Sequence, residues 1–199
     1  MSDLVRYTDQ RFEGLGASDE PAAQPPPFAG AVLVGCSFTD CALTEASFRD
    51  AHPSDCDFVR CDLSLLDLTD AVLQDVRFDG CRLTGNHFDT LKLGAMGVMA
   101  SFDGCDLSYC SFRGMDLTAC SFTACVTKDA EFVRCDLTGV SFDDTDLERC
   151  VFQANDLSGA DLRSARNYRI SPHGNTVKGM RVALPEALSL LAELGLDLD

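Results

Sequence analysis

From Phe28 to Leu162 a large apolar residue returns every five positions. Neither a strand, with its period of 2, nor a helix, with its period of 3.6, produces that spacing. The centres run Phe28, Leu33, Phe38, Leu43, Phe48, Pro53, Phe58, Leu63, Leu68, Leu73, Phe78, Leu83, Phe88, Leu93 and Val98. The register then slips by one residue and resumes at Phe102, Leu107, Phe112, Leu117, Phe122, Thr127, Phe132, Leu137, Phe142, Leu147, Phe152, Leu157 and Leu162. Twelve of the 13 phenylalanines fall on these centres. A second inward phase lies two residues before each centre and holds Ala or Cys in most copies. The acidic and basic residues of the segment take the other three phases. A unit of five with two inward positions needs a bend in every copy, which a solenoid with flat sides supplies. Phe recurs at spacing ten, so four sides per coil would keep each side's residue type constant.

Residues 1–27 end in Pro21-Ala22-Ala23-Gln24-Pro25-Pro26-Pro27, read as a linker, with Phe12 as the start of an irregular first coil or cap. Residues 28–166 are the repeat, broken in register at 94–101, where Met96, Met99 and nearby Met115 are expected to pack the core around a bend. Residues 167–199 form a C-terminal segment with a helix predicted near 184–194: Pro185 and Glu186 suit its first turn and Gly195 its end. Leu184, Leu188, Leu191 and Leu194 make one apolar stripe, which Leu196 and Leu198 continue. The stripe fits a cap on the last coil or a homodimer interface equally well.

Units such as Cys105-Asp106-Leu107-Ser108-Tyr109, Cys135-Asp136-Leu137-Thr138-Gly139 and Ala160-Asp161-Leu162-Arg163-Ser164 resemble the A(D/N)LXX unit of pentapeptide-repeat proteins. The resemblance implies an all-β fold, a right-handed quadrilateral β-helix, here with a short C-terminal α-helix. The tail, with Asn167-Tyr168-Arg169-Ile170-Ser171-Pro172, Asn175, Lys178 and Leu184-Pro185-Glu186-Ala187, is similar to that of the Qnr and MfpA group. That group protects DNA gyrase and topoisomerase IV from quinolone-type poisons by mimicking duplex DNA, and dimerises head-on through its C-terminal helix. The short interruption at 94–101 resembles the loop-poor MfpA type, which puts a loop-mediated gyrase contact in doubt. A structural or adaptor module for another protein partner is the alternative.

Charge changes this picture. The chain of 199 residues has a formal net charge of -16, with 32 acidic and 16 basic side chains. Most of that excess lies in the repeat. Binding nucleic acid through a basic surface is therefore not expected. Asp116, Asp136 and Asp156 are 20 residues apart and should stack as one column; Asp106 and Asp146, with Glu148 and Asp129 beside them, should form another. Asp106, Asp116, Asp136, Asp146, Glu148 and Asp156 are the expected gyrase-facing surface. For each aspartate alone, a local hydrogen bond at the corner is the simpler reading. An acid-poor region is expected around Phe112, Phe132 and Phe152 and around Leu33, Pro53, Leu73 and Leu93; the two groups share a side or lie on adjacent sides, depending on the break.

All 11 cysteines share the inward small-residue phase, which marks them as core filler rather than disulfide or zinc partners. A thiol-based metal or redox sensor is the competing reading. His52, His87 and His173 show no cluster with Cys or acids in the sequence and are expected on the surface. There is no phosphate-cradling glycine loop and no nucleophile motif, so no catalytic residue, cofactor or metal site is expected. The start, Met1 to Gln10, has no apolar run behind a basic stretch, and no segment is long and apolar enough for a membrane span. A cytoplasmic chain with reduced thiols is the expectation.

Overall fold

The computed structural model describes residues 4–16, 28–94 and 97–196. The repeat folds as expected, into a right-handed four-sided β-helix of about six turns. Short parallel strands stack coil on coil: Arg6–Thr8 pairs with Val32–Val34, which pairs with the start of His52–Val59. Side one carries the centres Leu33, Pro53, Leu73, Val98, Leu117, Leu137 and Leu157; side two Phe12, Phe38, Phe58, Phe78, Phe102, Phe122 and Phe142. Side three carries Leu43, Leu63, Leu83, Leu107, Thr127 and Leu147, and side four Phe28, Phe48, Leu68, Phe88, Phe112, Phe132 and Phe152. Sides two and four face each other, and their rings fill the core. Along side two, Phe102 stacks on Phe122 with centroids 5.2 Å apart; along side four, Phe112 stacks on Phe132 at 4.9 Å. Across the middle, Phe122 meets Phe112 and Phe132 edge-to-face at 5.8 Å. Such pairs add about 0.5–1.5 kcal/mol each beyond the area they bury.

The register break is an insertion and not a deletion. Phe78 pairs with Phe102, so this coil has 24 residues where the next, Phe102 to Phe122, has 20. A slip of one and a gain of four are the same phase in a five-residue repeat. Val98 is the buried centre on side one and Leu93 is 45% exposed, so Leu93 is not a core position. Met115 is buried and Met99 half-buried, while Met96 lies outside the described residues.

The cysteines are all buried and free, but they are more than filler. The backbone turns two kinds of corner. At closed corners the N–H of the residue two before a centre bonds the carbonyl of the previous centre, as Ala51 N–H does to Phe48 and Ala130 N–H to Thr127. At open corners those two groups stay apart, and a side chain from the next coil joins them. Cys81 Sγ accepts the Cys61 N–H at 3.4 Å and donates to the Phe58 carbonyl at 3.3 Å. Cys61 does the same for Cys41 and Phe38, and Thr145 Oγ1 for Cys125 and Phe122. Asn155 does it most fully, accepting the Cys135 N–H and donating to the Phe132 carbonyl, both at 2.8 Å. Closed corners hold alanine, as at Ala31, Ala46, Ala51, Ala71, Ala130 and Ala160, and also Cys110, Cys120 and Cys150, whose thiols donate to carbonyls of the preceding coil. Desolvation lifts the Cys110 and Cys120 thiols to about 12, and burial raises Cys56 and Cys150 to about 11, so these thiols stay protonated at neutral pH. Among the described residues no group of side chains could hold a metal ion.

The C-terminal helix, α1, spans Leu188–Glu193 and is shorter than the predicted 184–194. The residues before it turn instead, with Ala187 N–H bonded to Ala183 and Leu188 N–H to Pro185. Leu190, outside the predicted stripe, packs against the core with Val177, Met180 and Val182. No helix is long and apolar enough to cross a membrane among the described residues.

The open corners predict a specific cost. Asn155→Leu strands a buried N–H and a buried carbonyl and should lower unfolding stability by about 2–6 kcal/mol, at about 1–3 per group. Cys81→Ala frees the corresponding two groups, which a thiol holds more weakly, and should cost less, about 1–3 kcal/mol in all. Urea unfolding followed by circular dichroism measures both; a change within about 0.5 kcal/mol for either variant, typical of an inert surface site, would contradict this role.

Candidate partner-binding surface

The expected acidic residues divide between two opposite sides. Asp116, Asp136 and Asp156 are bridged register partners on side one, and all three are exposed. Asp106, Val126 and Asp146 are register partners on side three, where Glu148 shares the face with Asp146; these acids are half-buried. The predicted columns therefore form, but they make two surfaces.

The local reading of each aspartate also holds. Oδ1 of Asp116 accepts the Thr118 N–H at 3.0 Å and its hydroxyl at 2.7 Å. Asp106, Asp136, Asp146 and Asp156 accept the N–H two residues on in the same way. Aspartate before a centre thus closes the strand end, and its second oxygen is left for solvent or a partner. The Ser158 side-chain and backbone bonds hold the Asp156 carboxyl below the usual carboxylate range, so it is ionised at neutral pH.

Cation partners separate the two surfaces. Arginines tie adjacent coils together: Arg60 to Asp40, Arg77 to Asp57, Arg82 to Asp62, Arg149 to Asp129 and Arg181 to Asp161. On side three, Arg166 meets Asp146 at 3.4 Å, and Glu148 pairs with Lys128 and Arg149. Among the described residues no lysine or arginine pairs with Asp116, Asp136 or Asp156. The N-terminal half of side one instead presents Val32, Val34, His52 and Val72, and the inserted residues divide the halves, with Gly94 against Val72 and Gly97 against Asp116. The acid-poor groups accordingly fall on adjacent sides, Phe112, Phe132 and Phe152 on side four and Leu33, Pro53 and Leu73 on side one.

In the C-terminal segment Leu184 is 75% exposed, and Leu188, Leu194 and Leu196 are also exposed; Leu191 is half-buried. Leu198 lies outside the described residues. The three histidines are exposed as expected. Sequence spacing missed one grouping: His87 and Ser111 are register partners across the long coil, and His87 Nδ1 lies 3.8 Å from Asp89. The four inserted residues hide that pairing from a search at spacing 20.

Residues 31–97 match the pentapeptide repeat region, and residues 99–125 and 130–166 match pentapeptide repeats (8 copies). No curated protein matches the chain. Among solved structures it is similar to HetL, a pentapeptide repeat protein involved in heterocyst differentiation regulation from the cyanobacterium Nostoc sp. strain PCC 7120, with 20% identity and a TM-score of 0.66 over 90% of this chain and 84% of that one. It is also similar to QnrB1, a plasmid-mediated fluoroquinolone resistance protein, with 16% identity and a TM-score of 0.59 over 98% and 99% of the two chains. At these identities the likeness speaks to the fold alone. The repeat code, the four-sided stack and the matched residues agree that the chain belongs to the pentapeptide-repeat family.

Proposed function

We propose that this protein binds DNA gyrase or topoisomerase IV as a mimic of duplex DNA and protects the enzyme from quinolone-type or other poisons. The observation that carries this reading is the row Asp116, Asp136 and Asp156: three exposed carboxylates in register on a flat side, without cation partners among the described residues. Stacked coils repeat at about 4.7–4.9 Å, so the row is a dense, fixed line of negative charge like that of a phosphate backbone. A surface built to hold duplex DNA is basic and would favour it. The fold shared with QnrB1 is consistent with this role. The half-buried acids of side three, Asp106, Asp146 and Glu148, are a weaker second surface because two of them are already neutralised. The exposed Leu184, Leu188, Leu194 and Leu196, with Leu191, are proposed to join two copies end to end, giving a longer rod with two acidic rows.

The same fold is shared with HetL, and the second reading is that the rod is a regulatory adaptor for another protein. Neither reading uses a catalytic group, a cofactor, a membrane or direct nucleic-acid binding, and both place the chain in the cytoplasm.

A gyrase supercoiling assay with a quinolone separates the two. The protein at micromolar concentration should restore supercoiling, and the triple variant D116N/D136N/D156N, which keeps the corner hydrogen bonds, should need at least about tenfold more protein, equivalent to about 1.4 kcal/mol. An absence of both protection and gyrase binding excludes the first reading. In sedimentation, deleting residues 184–199 should convert a dimer to a monomer; a full-length protein that already sediments as a monomer leaves that segment as a cap only.

A further inference from the structure

A recess of about 600 Å³ lies where side three ends and the C-terminal segment meets it. The repeat code fails at this place. Spacing 20 from Leu107, Thr127 and Leu147 puts the next centre of side three at Asn167. Asn167 is instead exposed, with φ at 61°, and Tyr168 is the buried residue, 1% exposed. Both line the recess, with Glu148, Arg149, Arg169 and Glu186. We propose that this recess binds a small zwitterion of the α-amino-acid class, with its carboxylate on Arg169 and the Tyr168 hydroxyl and its ammonium on Glu186.

The hydroxyl is the first reason. Tyr168 Oη is buried without a hydrogen-bond partner, and it is the one such side-chain atom among the described residues. Buried polar groups are nearly always paired, and a phenylalanine would fill the same space with nothing left unpaired. The one charge that acts on this hydroxyl is Glu186, on the wall of the same recess. Burial, helped by that charge, pushes the phenol above its ordinary value, so it stands there as a neutral donor.

The second reason is which lining groups remain free. Arg149 is held by Asp129 at 2.6 Å and by Glu148 at 2.8 Å, and Glu148 also meets Lys128. Asn167 Nδ2 donates to Asp146 at 2.8 Å, and the Asn167 N–H donates to one oxygen of Glu186 at 3.2 Å. The Ser189 hydroxyl donates to the Glu186 carbonyl at 2.8 Å. Those bonds fix the walls in advance of any ligand. They leave the other Glu186 oxygen, the Arg169 guanidinium and the Tyr168 hydroxyl. Neither Glu186 nor Arg169 has an ion-pair partner among the described residues, although Glu193 adjoins Arg169 in a smaller neighbouring recess. A simple anion would be repelled by Glu186, and a simple cation by Arg169. A ligand with both charges answers both, and its carboxylate gives the hydroxyl an acceptor. The volume falls within the range of about 300–1,000 Å³ usual for small-molecule sites. The site is away from the Asp116 row and does not rest on the topoisomerase reading.

The test titrates the full chain with L-alanine, L-leucine and L-phenylalanine by calorimetry. The tightest of them is then compared with its two halves, the acid that lacks the ammonium and the amine that lacks the carboxylate. At least one amino acid should bind with Kd below about 10 mM, and each of its halves at least about tenfold more weakly. Arg169→Gln and Glu186→Gln should each weaken binding at least about tenfold. Tyr168→Phe should also weaken binding while the unfolding midpoint without ligand stays at or above that of the parent, which a purely structural hydroxyl would not give. No amino acid binding below about 10 mM, a half that binds as tightly as the whole, or full affinity in Tyr168→Phe overturns the proposal.

Discussion

Everything in this fold depends on closing the backbone hydrogen bonds where the chain turns between sides. A four-sided coil has flat stretches only about three residues long, so a large share of its N–H and carbonyl groups sits at corners. Buried backbone groups left unpaired would cost about 1–3 kcal/mol each. Closed corners pair within the turn and leave room for alanine. Open corners cannot, and a cysteine, threonine or asparagine from the next coil supplies donor and acceptor together. The core is therefore bound along its axis by two ladders, stacked phenylalanine rings and corner side chains, each passing from coil to coil.

The same geometry governs charge. A residue and its register partner stand one coil apart, within reach of a long side chain, so an arginine is most often spent on a carboxylate of the neighbouring coil. With half as many basic as acidic side chains, the supply of cations runs short, and where the basic residues fall decides which carboxylates remain free. On side three Arg166 and Lys128 answer the acids; on the C-terminal half of side one nothing among the described residues does. Net charge alone gives no such contrast. It arises from register.

Much of the fold was legible because a strict period leaves few solutions. Four sides followed from Phe recurring at ten, and the column Asp116, Asp136, Asp156 from spacing 20. Three things were hidden for physical reasons. A gain of four residues and a loss of one are identical in phase, so Leu93 resembled a core centre until the pairing of Phe78 with Phe102 settled the count. Cysteine and alanine occupy the same phase, and the sequence does not tell a thiol that joins an open corner from one, such as Cys150, that only donates to the preceding coil across a closed one. Short amphipathic tails show apolar positions but not which of them face inward, which is why Leu190 packs on the core while the expected stripe at Leu184 and Leu188 lies outside.

Like charges repel, and three carboxylates in a row would relax by rotating apart if they could. The Thr118, Thr138 and Ser158 backbone N–H groups prevent that, each holding one oxygen of the preceding aspartate. The corner bond and the surface charge are thus one feature. Asparagine would serve the corner equally well, since its carbonyl accepts the same N–H, and only aspartate adds the charge. Local structure explains why a hydrogen-bond acceptor stands at these positions, and it does not explain why all three are aspartate rather than asparagine. That difference is the part of the row that a basic partner would read.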